Sequence, residues 1–233
     1  AGLFDVVTAQ GIVKSLGMGL MMGFGVAVVL KDILPQVAGI VRGLAADSST
    51  DTDEQSLISG SLKLDAGIIG LGALGTMYAT LLTQSLGKER VLVLADRERT
   101  ERYRRDGMWY NGERCDLTST DAASVKEPVD VLLFAVKYTG LPDAIETCRH
   151  LVGPETTLIS ILNGISSEEL LVDAFGPDGV VWCMVGKMAA LKEGNRVTMF
   201  PVVPPAGEMD LGVPAGHSHA HLDRLTAFFD SIG

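Results

Sequence analysis

The chain has 233 residues, 47% apolar and 21% charged. That is enough for one to one and a half domains and too apolar for a disordered chain. With 19 basic against 29 acidic residues the formal net charge is −10, which excludes the basic footprint of a general nucleic-acid binder but leaves room for a local phosphate site. Three cysteines (Cys115, Cys148, Cys183) with no CxxC spacing exclude a disulfide or zinc framework. They read as buried free thiols in a reducing compartment.

Glycine is in excess: 27 residues, about 12% where ~7% is usual. In chain order, residues 1–45 come first and read as a hydrophobic helical segment. Ser15 to Leu30 carries no charge and is flanked by Lys14 and Lys31. It falls short of the ~20 residues a membrane-spanning helix needs. Gly19 and Gly23 have the spacing that permits close helix packing. Membrane contact through residues 15–34, a buried helix of a soluble assembly and foreign sequence joined at a fragment edge are all open readings. Residues 46–62 are polar, acidic and serine-rich and read as a linker. Residues 63–233 then read as an α/β domain, a Rossmann-type doubly wound parallel sheet.

Ala66 to Leu71 is a short apolar run of the kind that forms a buried parallel strand. Gly70, Gly72 and Gly75 follow at GxGxxG, and Ala73, Met77, Leu81 and Leu82 recur at near-helical spacing up to Gly87, a natural helix stop. A turn from strand to helix gives each glycine a task. Gly70 permits the turn, Gly72 lets a pyrophosphate approach the backbone, and Gly75 lets the helix pack on the strand. With the intervening Leu71, Ala73 and Leu74, this loop is the expected phosphate cradle at a helix N-terminus. A second strand, Arg90 to Ala95, ends at Asp96, where a ribose-binding acid is expected. An acid there favours the free ribose diol of NAD. Arg97, Arg99, Arg102, Arg104 and Arg105 follow, and Arg97 is placed where a guanidinium can bind a 2′-phosphate. NAD and NADP both stay open on these residues.

Met108–Tyr110 and Arg114–Leu117 flank Asn111-Gly112, a hairpin signal. Asp130 to Val136 is a further buried strand, followed by Lys137 and a helix over Leu141 to Leu151. Thr157 to Leu162 is the next strand, closed by Asn163-Gly164. Ser166 or Ser167 can cap a helix through Phe175. Val180–Val185, Arg196–Phe200 and Glu208–Gly212 read as strands, and His221–Ile232 as a terminal amphipathic helix. Strands alternating with helices imply a doubly wound sheet, whose ligands bind beyond the carboxyl ends of the strands. The glycine turn, Asp96–Arg97, Lys137 and Asn163 all fall on that edge.

The segments GIIGLGALGTMYA, ADRERTERYRRDGMWYNGE, FAVKYTGLPDAI and SILNGISSEELL, in this order, resemble ketopantoate reductase (2-dehydropantoate 2-reductase) from about Lys63 to the end. The resemblance implies NADP-dependent reduction of a small 2-oxo acid, 2-dehydropantoate, on the route to pantothenate and coenzyme A. It implies that Gly70, Gly72 and Gly75 hold the pyrophosphate and that Arg97 meets the adenosine phosphate. Asp96 before it leaves NAD as the alternative. Lys137 is implied beside the cofactor and Asn163 near the nicotinamide and substrate, in positioning roles. The family's proton-donor lysine lies in a C-terminal helical domain that would begin about where this sequence stops, so the isolated chain is expected to be inactive. A non-catalytic dinucleotide-binding module and a dehydrogenase for another 2-oxo acid are the alternatives. The expected setting is cytoplasmic, with no nucleic-acid partner and with a homodimer compatible with the sequence.

No metal is expected. His217, His219 and His221 form HxHxH, but the neighbouring glycine and prolines make this a loop entering a helix. Cys183 sits in an apolar run and reads as core, and His150 as a charge partner at a helix end.

Overall fold

The computed structural model describes residues 4–8, 64–164, 166–200 and 208–232. Most of the expected helical segment, its candidate membrane contact at 15–34 and the linker at 46–62 lie outside the described residues. Phe4–Thr8 corrects the helical expectation. It is strand β1, paired antiparallel with β12 (Glu208–Pro214) from Phe4↔Pro214 to Thr8↔Asp210. The β-branched run Val6-Val7-Thr8 favours an extended backbone, and pairing supplies the hydrogen bonds that a helix would otherwise satisfy.

The remaining elements follow the expected alternation. Strand β2 (Ala66–Ile69) leads into helix α1 (Ala73–Leu86), then β3 (Val91–Ala95) and α2 (Arg97–Asp106). A short hairpin, β4 (Trp109–Tyr110) and β5 (Glu113–Arg114), turns through Asn111 at φ 49° and Gly112 at φ 88°. The second arm is shorter than expected. Strand β6 (Thr118–Asp121) follows, then β7 (Val131–Phe134), a 3-10 turn (Tyr138–Gly140) and α3 (Leu141–Cys148). Arg149–Leu151, expected as part of that helix, is a separate 3-10 turn. Then come β8 (Thr157–Ser160), α4 (Ser166–Phe175), β9 (Val180–Gly186), β10 (Ala189–Glu193), β11 (Arg196–Phe200), β12 and α5 (Ala220–Ile232).

Eight strands form one sheet in the order β6-β3-β2-β7-β8-β9-β12-β1. Pairing is parallel from β6 to β9 and antiparallel beyond. The central parallel strands bury both faces: β2, β7 and β8 are buried throughout. One face carries Ile68, Met77, Leu82, Leu133 and Phe228, and the other Phe134, Leu141, Leu151, Leu158 and Leu171. The sequence order reverses between β2 and β7. A doubly wound sheet opens a crevice at such a point.

A second sheet, β10-β11-β4-β5, pairs the β10–β11 hairpin with the strand that follows α2. Asn195 fastens it there: its Nδ2 donates to the Asp106 and Gly107 carbonyls at 3.0 and 3.1 Å. Arg196 lies over the Trp109 ring at 4.5 Å. Among the described residues no helix is long and apolar enough to cross a membrane.

Helix α5 buries Leu222, Leu225 and Phe228. At its start the His221 ring nitrogen Nδ1 meets Thr157 Oγ1 at 2.9 Å. Burial, then the nearby Arg224 cation, push the His221 pKa down, against smaller opposing effects of Glu155 and Asp178. The unfolded chain therefore takes up this proton first as the pH falls, so the stabilisation is complete above the unfolded value, about 6.5, and is lost below it. The thermal midpoint of the wild type should drop more between pH ~7.5 and ~5.5 than that of His221→Asn, which keeps an acceptor for Thr157 without titrating. Parallel pH profiles of the two proteins would refute the assignment.

Candidate functional site

The Gly70–Gly75 turn is built by sterics. Gly70 has φ +102°, and a Cβ there would lie 2.8 Å from the Ala135 carbonyl oxygen. A Cβ on Gly75 would overlap the Gly70 carbonyl oxygen and stand 2.9 Å from Ala135 Cβ. These two glycines bring β2, α1 and the end of β7 together. Gly72 differs. Its φ is −69°, and a Cβ would meet Ala135 oxygen only at 3.5 Å, an ordinary contact. Gly72 is the N-cap of α1, with no side-chain cap and no acidic residue in the first turn. The helix thus presents its N-terminal amides and positive dipole end without an anion of its own.

These amides face a cleft of about 980 Å³ at the carboxyl ends of β2, β3, β7 and β8. Gly70, Leu71, Gly72, Ala73, Leu74, Asp96, Lys137 and Asn163 all line it. Gly75 and Arg97 do not. Gly75 is buried under the turn and acts in packing. Arg97 is the first residue of α2, its side chain 84% exposed, with Nε 3.2 Å from Glu101 Oε1 on the outer side of the helix.

Asp96 sits at the last turn of β3 into α2. Its carboxylate caps the helix, accepting from the Arg99 amide at 2.7 Å, while its other oxygen lies 3.5 Å from Arg99 Nη1. Arg99 lines the cleft where Arg97 does not. The cleft also takes in Tyr103 of α2 and Lys192 and Gly194 of the β10–β11 hairpin. Lys192 Nζ donates to the Gly194 carbonyl. These residues are not legible as site residues in the sequence. Arg99 is one of five near-equivalent arginines, and β10 has no apolar alternation to mark it.

Below Asn163 lies a buried polar chain. Ser160 Oγ donates to Ser167 Oγ at 2.7 Å, and Ser167 Oγ to Glu168 Oε2 at 2.8 Å. Ser160, Ser167 and Glu168 are all buried, so the expected capping role of Ser167 gives way to this network. Ser166 is already helical. The network anchors the start of α4 to the end of β8, the two elements that bracket the Asn163-Gly164 loop.

Among the described residues no group of three or more His, Cys, Asp and Glu side chains can hold a metal ion. His221 is engaged with Thr157, and His150 Nε2 lies 3.0 Å from the Ala122 carbonyl oxygen. All three cysteines are free thiols. Burial raises the Cys148 pKa to about 12. Burial, with the Glu168 and Asp210 charges, raises that of Cys183 as well. Neither forms a ready thiolate.

A doubly wound sheet of Rossmann type with a glycine turn over its switch-point cleft defines the class of the domain. The model of the ketopantoate reductase PanE/ApbA family matches residues 66–211, and the chain belongs to this family. A curated 2-dehydropantoate 2-reductase of Aquifex aeolicus (strain VF5) is 27% identical over 169 residues, covering 71% of this chain and 52% of the relative. The chain thus spans about half the length of that relative. The crystal structure of 2-dehydropantoate 2-reductase from Geobacter metallireducens GS-15 superposes with a TM-score of 0.56 at 22% identity, covering 73% of this chain and 56% of the other. A complex of D-mandelate dehydrogenase with NADH gives 0.57 at 19% identity, covering 73% and 53%. At these identities the two structures show the fold alone.

Proposed function

We propose that the chain supplies the dinucleotide-binding half of an oxidoreductase that reduces the carbonyl of a small 2-oxo acid, 2-dehydropantoate, with a reduced nicotinamide dinucleotide. The observation that carries this reading is convergence. The uncapped N-terminus of α1, Lys137 after β7 and Asn163 after β8 line one cleft, though far apart in sequence. Family membership and the name of the Aquifex relative support the substrate.

The residues present fit such a group. The α1 amides offer donors to a pyrophosphate, and Gly72 leaves room for it to approach the backbone. A bound reduced nicotinamide supplies the hydride. With the group bound, the carbonyl oxygen would gain negative charge on hydride transfer and then take a proton from solvent, and the Lys137 ammonium, which lines the cleft, would stabilise that charge. The Asn163 carboxamide can donate and accept at once, which suits it to orienting a ribose or the substrate. Holding the two reactants in one geometry is the larger part of what such residues contribute.

Titration of the 233-residue chain with NADH and with NADPH, followed by nicotinamide fluorescence, tests the reading. Saturable binding of at least one is expected. Addition of 2-dehydropantoate should then tighten the nucleotide, without turnover by the dinucleotide-binding half alone. No saturable binding of either dinucleotide would sink the proposal. Binding with no response to 2-dehydropantoate, but a response to another 2-oxo acid, would leave a different dehydrogenase. Binding with no response to any would leave a non-catalytic module.

A further inference from the structure

The edge of the cleft around Asp96 says more than that a dinucleotide fits. A 2′-phosphate needs an open cationic or amide site beside the adenosine ribose. Here that position holds a carboxylate of the chain's own, and the nearby cations face acidic groups or the backbone. The Asp96 carboxylate takes the position of an anion at the N-terminus of α2, accepting from the Arg99 amide at 2.7 Å. Glu98 adds a second acid to the first turn. The cation nearest in sequence, Arg97, lies outside the cleft and is engaged with Glu101. The cation that does line the cleft, Arg99, lies 3.5 Å from Asp96 itself. Lys192, also in the lining, donates to its own hairpin at Gly194.

A phosphate entering here would stand against the Asp96 carboxylate. Like charges placed together repel, and this opposes binding even where water partly screens them. A ribose diol meets the opposite situation. Asp96 is half exposed, and each carboxylate oxygen keeps lone pairs for the two hydroxyls. We infer that the cleft takes the dinucleotide with a free 2′-hydroxyl, NADH in preference to NADPH, and that Asp96 is the residue that makes the selection. The inference rests on the dinucleotide reading above and reverses the NADP preference that the family resemblance implies.

The test is the ratio of two dissociation constants, measured on the full chain by nicotinamide fluorescence. In the wild type NADH should bind about tenfold or more tighter than NADPH, the effect of one unfavourable charge contact of ~1.4 kcal/mol. Asp96→Asn keeps an N-capping side chain, since asparagine caps as well as aspartate, but removes the charge. It should bring the ratio close to one, with NADPH gaining, and leave the thermal midpoint unchanged. Asp96→Ser, a second capping residue, should do the same if the first variant misfolds. Arg97→Ala should change neither constant. Equal or tighter binding of NADPH by the wild type overturns the inference while the dinucleotide reading stands. A ratio unmoved by Asp96→Asn and Asp96→Ser overturns the role of Asp96. No binding of either dinucleotide overturns the underlying reading, and this inference with it.

Discussion

Gly75→Ala is expected to be the most damaging single methyl group in the domain. The added Cβ overlaps the Gly70 carbonyl oxygen, a backbone atom that cannot swing aside, and stands 2.9 Å from Ala135 Cβ. To relieve this, α1 must lift from β2 and the end of β7. That loosens the side chains it buries, among them Met77, Tyr78, Ala79 and Leu82. Overpacking of this kind costs about 3 kcal/mol or more when the obstacle is backbone. For a domain of this size that lowers the thermal midpoint by roughly 6–12 °C. Circular dichroism melting checks it. A midpoint within ~2 °C of the wild type would show that the helix has slack the structure does not display.

Gly72→Asp should have the opposite effect on stability and a larger one on binding. Gly72 holds the φ −69°, ψ −166° of an N-cap, and a Cβ there finds only ordinary contacts. A carboxylate introduced at this position can accept from the first-turn amides of α1, as Asp96 does for α2. Good caps contribute ~0.5–2 kcal/mol over poor ones, and glycine is already a fair cap. The gain over glycine is a few tenths of a kcal/mol, so a rise in the midpoint of about 1 °C is expected. The same carboxylate occupies the amides that a pyrophosphate would use and repels its charge. Affinity for NADH and NADPH alike should fall by about 100-fold or more, since like charges in contact cost several kcal/mol. A more stable protein that no longer binds would locate the pyrophosphate at α1. Unchanged affinity would remove the glycine turn from the site.

Much of the fold is legible along the chain because buried parallel strands are short continuous apolar runs. β2, β3, β7 and β8 lie within the runs expected for them. Gly87 stops α1, and Asn111-Gly112 turns the hairpin with both residues at positive φ. β6 and β10 are not legible. Thr118–Asp121 has no apolar face, and Ala189–Glu193 is exposed throughout. Each is extended because a neighbour pairs with it, β3 in one case and β11 in the other. β1 lies in a stretch whose apolar content alone suggested helix.

The candidate site divides in the same way. The sequence by itself determined where the backbone must turn and which strand ends meet. A glycine at φ +102°, a glycine under a carbonyl, and an apolar run that must bury both faces leave few alternatives. It also placed Asp96, Lys137 and Asn163 on one edge, because strand ends in a parallel sheet share a side. The tertiary structure alone decided which charges face the cleft. Arg97 is next to Asp96 in the chain. But once Asp96 caps α2, the phase of the helix is set, and a turn of 100° per residue points Arg97 out and leaves Arg99 at the cleft. Lys192 reaches the same cleft because β11 pairs with β4 and Asn195 fastens the hairpin beside α2. Side-chain direction depends on helix phase and on docking between distant segments, and neither is written in local composition.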